Sequence, residues 1–140
     1  MMIKNLTCLI IALLILLNIM GCANLISEIK KGDTEAVKAL LLKNIDVNDM
    51  DENGRTALHY AVMVGNYEIT QILLEKGANV NLPDKNGNTD LYKAVVYGDI
   101  NIVNILIDNN SDINSTNKNG YTPLIASIGK RNLELIKILL

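Results

Sequence analysis

The chain carries one histidine, His59, and two cysteines, Cys8 and Cys22. Acid–base or nucleophilic catalysis needs a second positioned group within hydrogen-bond reach of the first. No second histidine, reactive cysteine or recurring pair of carboxylates completes such a set around His59. The stretch "DMDENG" imitates a calcium loop, with Asp49, Asp51 and Asn53 at alternate positions and Gly54 sixth. Its twelfth position, where a bidentate glutamate belongs, is Tyr60. Later copies of the stretch, "LPDKNG" and "STNKNG", lose acids, so a plain turn is the better reading. Gly129-Lys130 lacks the glycine five positions earlier that a phosphate cradle requires. These residues point to no enzyme, no metal and no cofactor.

Composition narrows the partners. The 140 residues have room for one domain, and their 49% hydrophobic content is inflated by the run from Leu6 to Met20. A net charge of −2 and a pI near 5.3 provide no basic field for nucleic acid. Five tyrosines with no Phe or Trp leave few platforms for base stacking. Nucleic-acid binding is therefore excluded as a reading.

Cys22 stands at a seam. Lys4 supplies a positive start and "LTCLIIALLILLNIM" an apolar run too short for an ordinary membrane span. The run closes with Ile19-Met20-Gly21-Cys22, which resembles the bacterial lipobox, although Met20 is bulkier than that pattern prefers. The resemblance implies cleavage after residue 21 and an exported protein held in the envelope, for instance at an outer membrane, by acyl chains on Cys22. Cys8 would leave with the signal, so no disulfide is expected. Two alternatives stay open: an uncleaved signal anchor from about Leu6 to Ile26, and plain secretion.

The remaining chain repeats itself at a shift of 33 residues. Gly54, Gly87 and Gly120 align without gaps, as do Thr56, Thr89 and Thr122, and Leu58, Leu91 and Leu124. Leu40, Leu73, Leu106 and Leu139 share one further column. Each copy must position its residues through the same small elements. Asn53-Gly54 suits a tight turn, and the threonines suit N-caps of a first helix. Pro123 fits a first helical turn, where Asp90 places a charge that favours a helix N-terminus. Gly65 and Gly98 suit a tight link to a second helix, and Arg131 stands where a third glycine belongs. Ile69, Ile72 and Leu73, and then Ile102, Ile105 and Leu106, form one apolar stripe per second helix. Asn48, Asn81 and Asn114 close the copies, where an Asn side chain can bridge successive turns.

This pattern resembles the ankyrin repeat, with its turn, its Thr-Pro-Leu-His box, its helix pair and its Gly-Ala-Asp-Val-Asn ending. Proline of the box survives only at Pro123 and histidine only at His59, with Tyr92 and Ile125 in the later histidine positions. The resemblance implies an all-α solenoid of paired antiparallel helices with β-turn or hairpin loops. The expected organisation is a signal peptide over 1–21, a lipidated cysteine and linker over 22–24, and repeats over 25–140. Within the last span lie a partial repeat at 25–50, full repeats at 51–83 and 84–116, and a partial repeat at 117–140.

The resemblance also implies a function. Proteins of this kind bind another protein through turn tips and a concave first-helix face. Carried over by column, that surface comprises Glu52, Asn53, Arg55, Met63 and Val64, then Lys85, Asn86, Asn88, Val96 and Tyr97. Lys118, Asn119, Tyr121 and Lys130 complete it. Tyr97 and Tyr121 are the expected anchors, since tyrosine is enriched at interface hot spots. The alternative is a structural or self-associating repeat protein, or a fragment of a longer one, without a ligand of its own.

Both ends carry expectations. Glu28 takes the column of Ala61 and Ala94, as a solvated cap should. At the other end Leu135, Ile136, Ile138 and Leu139 continue the buried pattern, and their exposure would imply further repeats downstream or an oligomer closing that face.

Overall fold

Each repeat begins a helix at a threonine. In the computed structural model, which describes residues 9–13 and 24–140, Thr56, Thr89 and Thr122 cap the N-termini of helices α3 (Ala57–Val64), α5 (Asp90–Tyr97) and α7 (Pro123–Gly129). Their hydroxyls accept the backbone N–H groups of His59, Tyr92 and Ile125, satisfying donors that a helix start leaves orphaned. The second helices, α4 (Tyr67–Glu75), α6 (Ile100–Asp108) and α8 (Leu133–Ile138), are capped by Asn66, Asp99 and Asn132. Ahead of these lie α1 (residues 24–31) and α2 (Thr34–Leu41), the latter capped by Asp33. Residues 9–13 are also helical.

The result is the expected all-α solenoid, with no strand among the described residues. The proposed cleavage site and Cys22 lie outside the described residues, as does most of the apolar run. No helix among the described residues is long and apolar enough to cross a membrane.

The links between helices follow the columns. Gly65 and Gly98 end α3 and α5 in the left-handed conformation, at φ 73° and 81°. Arg131 adopts the same conformation, at φ 54°, without glycine's freedom. Stacking comes from first helices packing on first helices, α3 on α5 on α7, each backed by its own second helix. Ile69, Leu73, Ile102, Leu106 and Leu135 are fully buried in the seam, while Ile72 is partly buried.

Turns stack as well as helices. The Lys85 N–H donates to the Asn53 carbonyl at 2.9 Å, and the Lys118 N–H to the Asn86 carbonyl at 3.0 Å. A Cβ on Gly87 would lie 2.9 Å from the Lys118 nitrogen, so that column needs glycine for room as well as for φ. On the other edge, Asn48 Oδ1 accepts the Asn79 N–H at 2.7 Å and Asn81 Oδ1 accepts the Asp112 N–H at 2.8 Å. The expected bridging role of Asn48 and Asn81 is thus met. Asn114, in the last copy, donates its own N–H to Asp112.

The two ends depart from expectation. Glu28 is half-buried rather than freely solvated, and it pairs with Lys31 at 2.7 Å. At the far end Leu135 and Leu139 are buried, and Ile136 and Ile138 are half-buried. Helix α8 turns its stripe back onto α7, so these residues are not the uncovered ones. Exposure falls instead on α7: Ile128 is 56% exposed, whereas Val62 and Val95 in its column are covered by the next repeat.

Candidate functional site

Each of the first two full turns opens on an aspartate whose carboxylate organises the loop. Asp51 Oδ1 accepts the N–H groups of Asn53 and Arg55, at 2.8 and 2.9 Å. Asp84 Oδ1 accepts those of Asn86 and Asn88, at 2.9 and 3.0 Å. The second oxygen reaches nine residues on, to the first helix. The Tyr60 hydroxyl donates to Asp51 Oδ2 at 2.6 Å, and the Lys93 ammonium donates to Asp84 Oδ2. Burial pushes both carboxyls up, but these donors outweigh it and hold Asp51 and Asp84 below the usual carboxylate value. At Asp51 the calcium-like stretch is thus a turn whose carboxylate already accepts three hydrogen bonds.

Beneath the turns lies a buried polar layer. The Thr56 N–H donates to His59 Nδ1 at 3.1 Å, which makes Nδ1 an acceptor. The neutral ring then carries its proton on Nε2 and donates to the Asn88 carbonyl in the next repeat, at 3.3 Å. Burial, and then the neighbouring Lys93 ammonium, lower the His59 pKa to about 4. The histidine joins two turns and stays uncharged.

Asp90 sits beside it and contradicts the expected charge at the start of α5. Its side chain is fully buried, neither oxygen has a hydrogen-bond partner among the described residues, and Oδ1 is 3.7 Å from His59 Nδ1. Burial raises its carboxyl well above the usual range, against the pull of Lys93. Its neighbour His59 is held neutral, so the contact is not an ion pair.

Above this layer opens a cleft of about 210 Å³ between the first and second full turns. It brings together six of the residues expected from sequence: Arg55, Met63, Asn86, Asn88, Val96 and Tyr97. Arg55 Nε is buried without an acceptor among the described residues, and its guanidinium carbon lies 6.0 Å from the centre of the Tyr60 ring. Tyr97 is 57% exposed at the rim.

The other expected residues lie outside the cleft. Glu52, Asn53, Lys85, Lys118 and Asn119 are exposed on the turn tips, Val64 ends α3, and Lys130 is the C-cap of α7. Tyr121, 49% exposed, stands at the last turn. Sequence reasoning missed Asp84, Tyr92 and Lys93, which also line the cleft. A signal was available in the columns. Asp51 and Asp84 each have a donor nine residues later, Tyr60 and Lys93, whereas Asn117 has Ala126.

Comparison with known proteins agrees with this geometry. The model of the family described as ankyrin repeats (3 copies) matches residues 19–117 and 91–140. No curated protein matches the chain. Capped helix pairs, stacked turns and a matched span covering most of its length lead to one conclusion: the chain belongs to the ankyrin-repeat family.

Proposed function

We propose that this protein is a binding module for another protein, held at a membrane by lipid on Cys22 and without catalysis of its own. Ankyrin repeats are in general protein–protein interaction modules, and the family is typically non-enzymatic. The observation that carries the reading is Tyr97, a large side chain left 57% exposed on the rim of the cleft. Tyrosines so placed give contact area at little entropic cost, which suits them to anchor an interface. The partner face runs from this cleft along the turn tips to Tyr121.

Affinity purification of the full chain from its own cells tests the reading. A reproducible partner should be retained by the unaltered protein and lost from Tyr97→Ser with Tyr121→Ser, while circular dichroism stays helical. A partner set indifferent to both substitutions would overturn it. Lipid attachment rests on Lys4, the apolar run and Ile19-Met20-Gly21-Cys22. Labelled fatty acid should enter the unaltered protein and not Cys22→Ser. A full-length, unlabelled, membrane-bound chain would favour the signal anchor instead.

Self-association is the second reading, favoured by Ile125, Ile128 and Leu133, which stand exposed on the last repeat. A concentration-dependent increase in mass by analytical ultracentrifugation, abolished by Ile128→Lys, would support it.

A further inference from the structure

The binding face also has a charge preference, and it starts at Arg55. The Arg55 Nε–H has no acceptor among the described residues, although the side chain lines the cleft. The acids close by are occupied. Asp51 is bonded by Tyr60 and two backbone N–H groups, and Asp84 by Lys93 and two more. Asp90 is buried beneath the cleft floor and exposes no charge. Asn88 Oδ1 already accepts from the Asn117 side chain at 2.9 Å, so its NH2 group remains to donate. The cleft therefore offers donors, and its volume of about 210 Å³ suits one side chain rather than a cofactor, whose sites run to roughly 300 Å³ or more.

The surroundings have the same sign. Residues 117–130, the last turn and first helix, carry Lys118 and Lys130 and no acid. Residues 99–116, which form the second helix and far loop of the preceding repeat, carry Asp99, Asp108 and Asp112 and no Lys or Arg. Along these two segments cations lie toward the turn face and acids away from it, while the earlier turn tip carries the exposed acid Glu52 and the helix behind it ends at Lys76. Such separation steers an oppositely charged partner and fixes its register.

We propose that the cleft beside Arg55 receives an Asp or Glu side chain from an acidic segment of the partner protein, with the remaining acids of that segment running toward Lys118 and Lys130. The guanidinium forms charge-assisted bonds to the carboxylate, Asn88 adds an amide donor, and Tyr97 packs on the adjoining residues. This assignment rests on the protein-binding reading above and names the chemistry of its partner.

A random dodecapeptide display library, selected on the full chain in mild detergent, tests it. Enriched peptides should share an Asp or Glu, and a synthetic enriched peptide should bind by fluorescence anisotropy more weakly as salt rises. Its replacement by the Asn or Gln version should weaken binding by on the order of tenfold, the effect of losing one charge-assisted contact. Arg55→Gln should do the same. Lys118→Gln with Lys130→Gln, on the exposed surface and harmless to folding, should weaken binding independently. Enrichment of apolar or basic peptides would overturn the charge assignment while leaving a protein-binding module. Failure to enrich any peptide would also overturn it, whereas loss of the binding reading itself shows only in the affinity purification. Equal binding of a single-stranded oligonucleotide of matched charge would overturn it too, by reducing the face to a general polyanion surface.

Discussion

Asp90 occupies a position where proline serves the family, the first residue of α5 after the Thr89 cap. Thr89 is already extended, at φ −80° and ψ 167°, the conformation required before proline. Asp90→Pro should therefore fit, and it removes a buried carboxyl that has no hydrogen-bond partner among the described residues. The predicted gain is about 1–3 kcal/mol at neutral pH, read as a raised urea midpoint with an unchanged slope. The pH dependence has a definite sign. Because the folded carboxyl is raised above 3.8, its contribution is complete below that value and is lost as pH rises toward the folded pKa. The advantage of Asp90→Pro should consequently widen with pH. His59 works the other way: lowered from 6.5 to about 4, it contributes stability above 6.5 that disappears as pH falls through about 4. His59→Gln should flatten the acid side of the stability profile. It should also cost about 1–3 kcal/mol at pH 7, because the turn of the next repeat loses its bond at Asn88.

Among the elements, turns and helix links place different demands on their glycines. Gly98→Ala meets open space and bears only the left-handed backbone penalty, about 1 kcal/mol. Gly87→Ala adds a Cβ 2.9 Å from the Lys118 nitrogen, in a backbone that cannot retreat without breaking the Lys118 to Asn86 bond. It should cost more than Gly98→Ala, by about 1–2 kcal/mol, the value of one such bond with its strain. Arg131→Gly relieves the same left-handed strain and should stabilise by up to about 1 kcal/mol in thermal unfolding. These elements were legible in the sequence because caps and turns are local. A threonine, asparagine or glycine determines its own few bonds wherever the repeat places it. Asp84 with Lys93 left only the recurring nine-residue spacing in the columns as a signal, since a change of direction separates them and only the folded corner joins them. Asp90 was misread for the same reason. An acid at a helix start is ordinarily solvated, and here the neighbouring repeat buries it.

At the scale of the whole molecule, the period of 33 predicted the stack, and the stack turned six residues from four columns into the walls of one cleft. The sequence could not show which apolar residues of the last repeat stay uncovered. That depends on α8 folding back on α7, which leaves Ile128 outside and takes Leu135 and Leu139 inside. Stability in such an array is close to a sum over neighbours, so α7 and α8, which pack against one other repeat among the described residues, should open before α3 and α4, which pack against two. Hydrogen exchange of the full chain should show faster exchange at 123–138 than at 57–75. The same experiment tests the central claim most directly when repeated on the chain with its co-purified partner bound. The account predicts new protection at residues 51–64, 84–97 and 117–122, the turns and first helices around Arg55, Tyr97 and Tyr121. Protection confined to α4 and α6, or no change anywhere on the turn face, would contradict it.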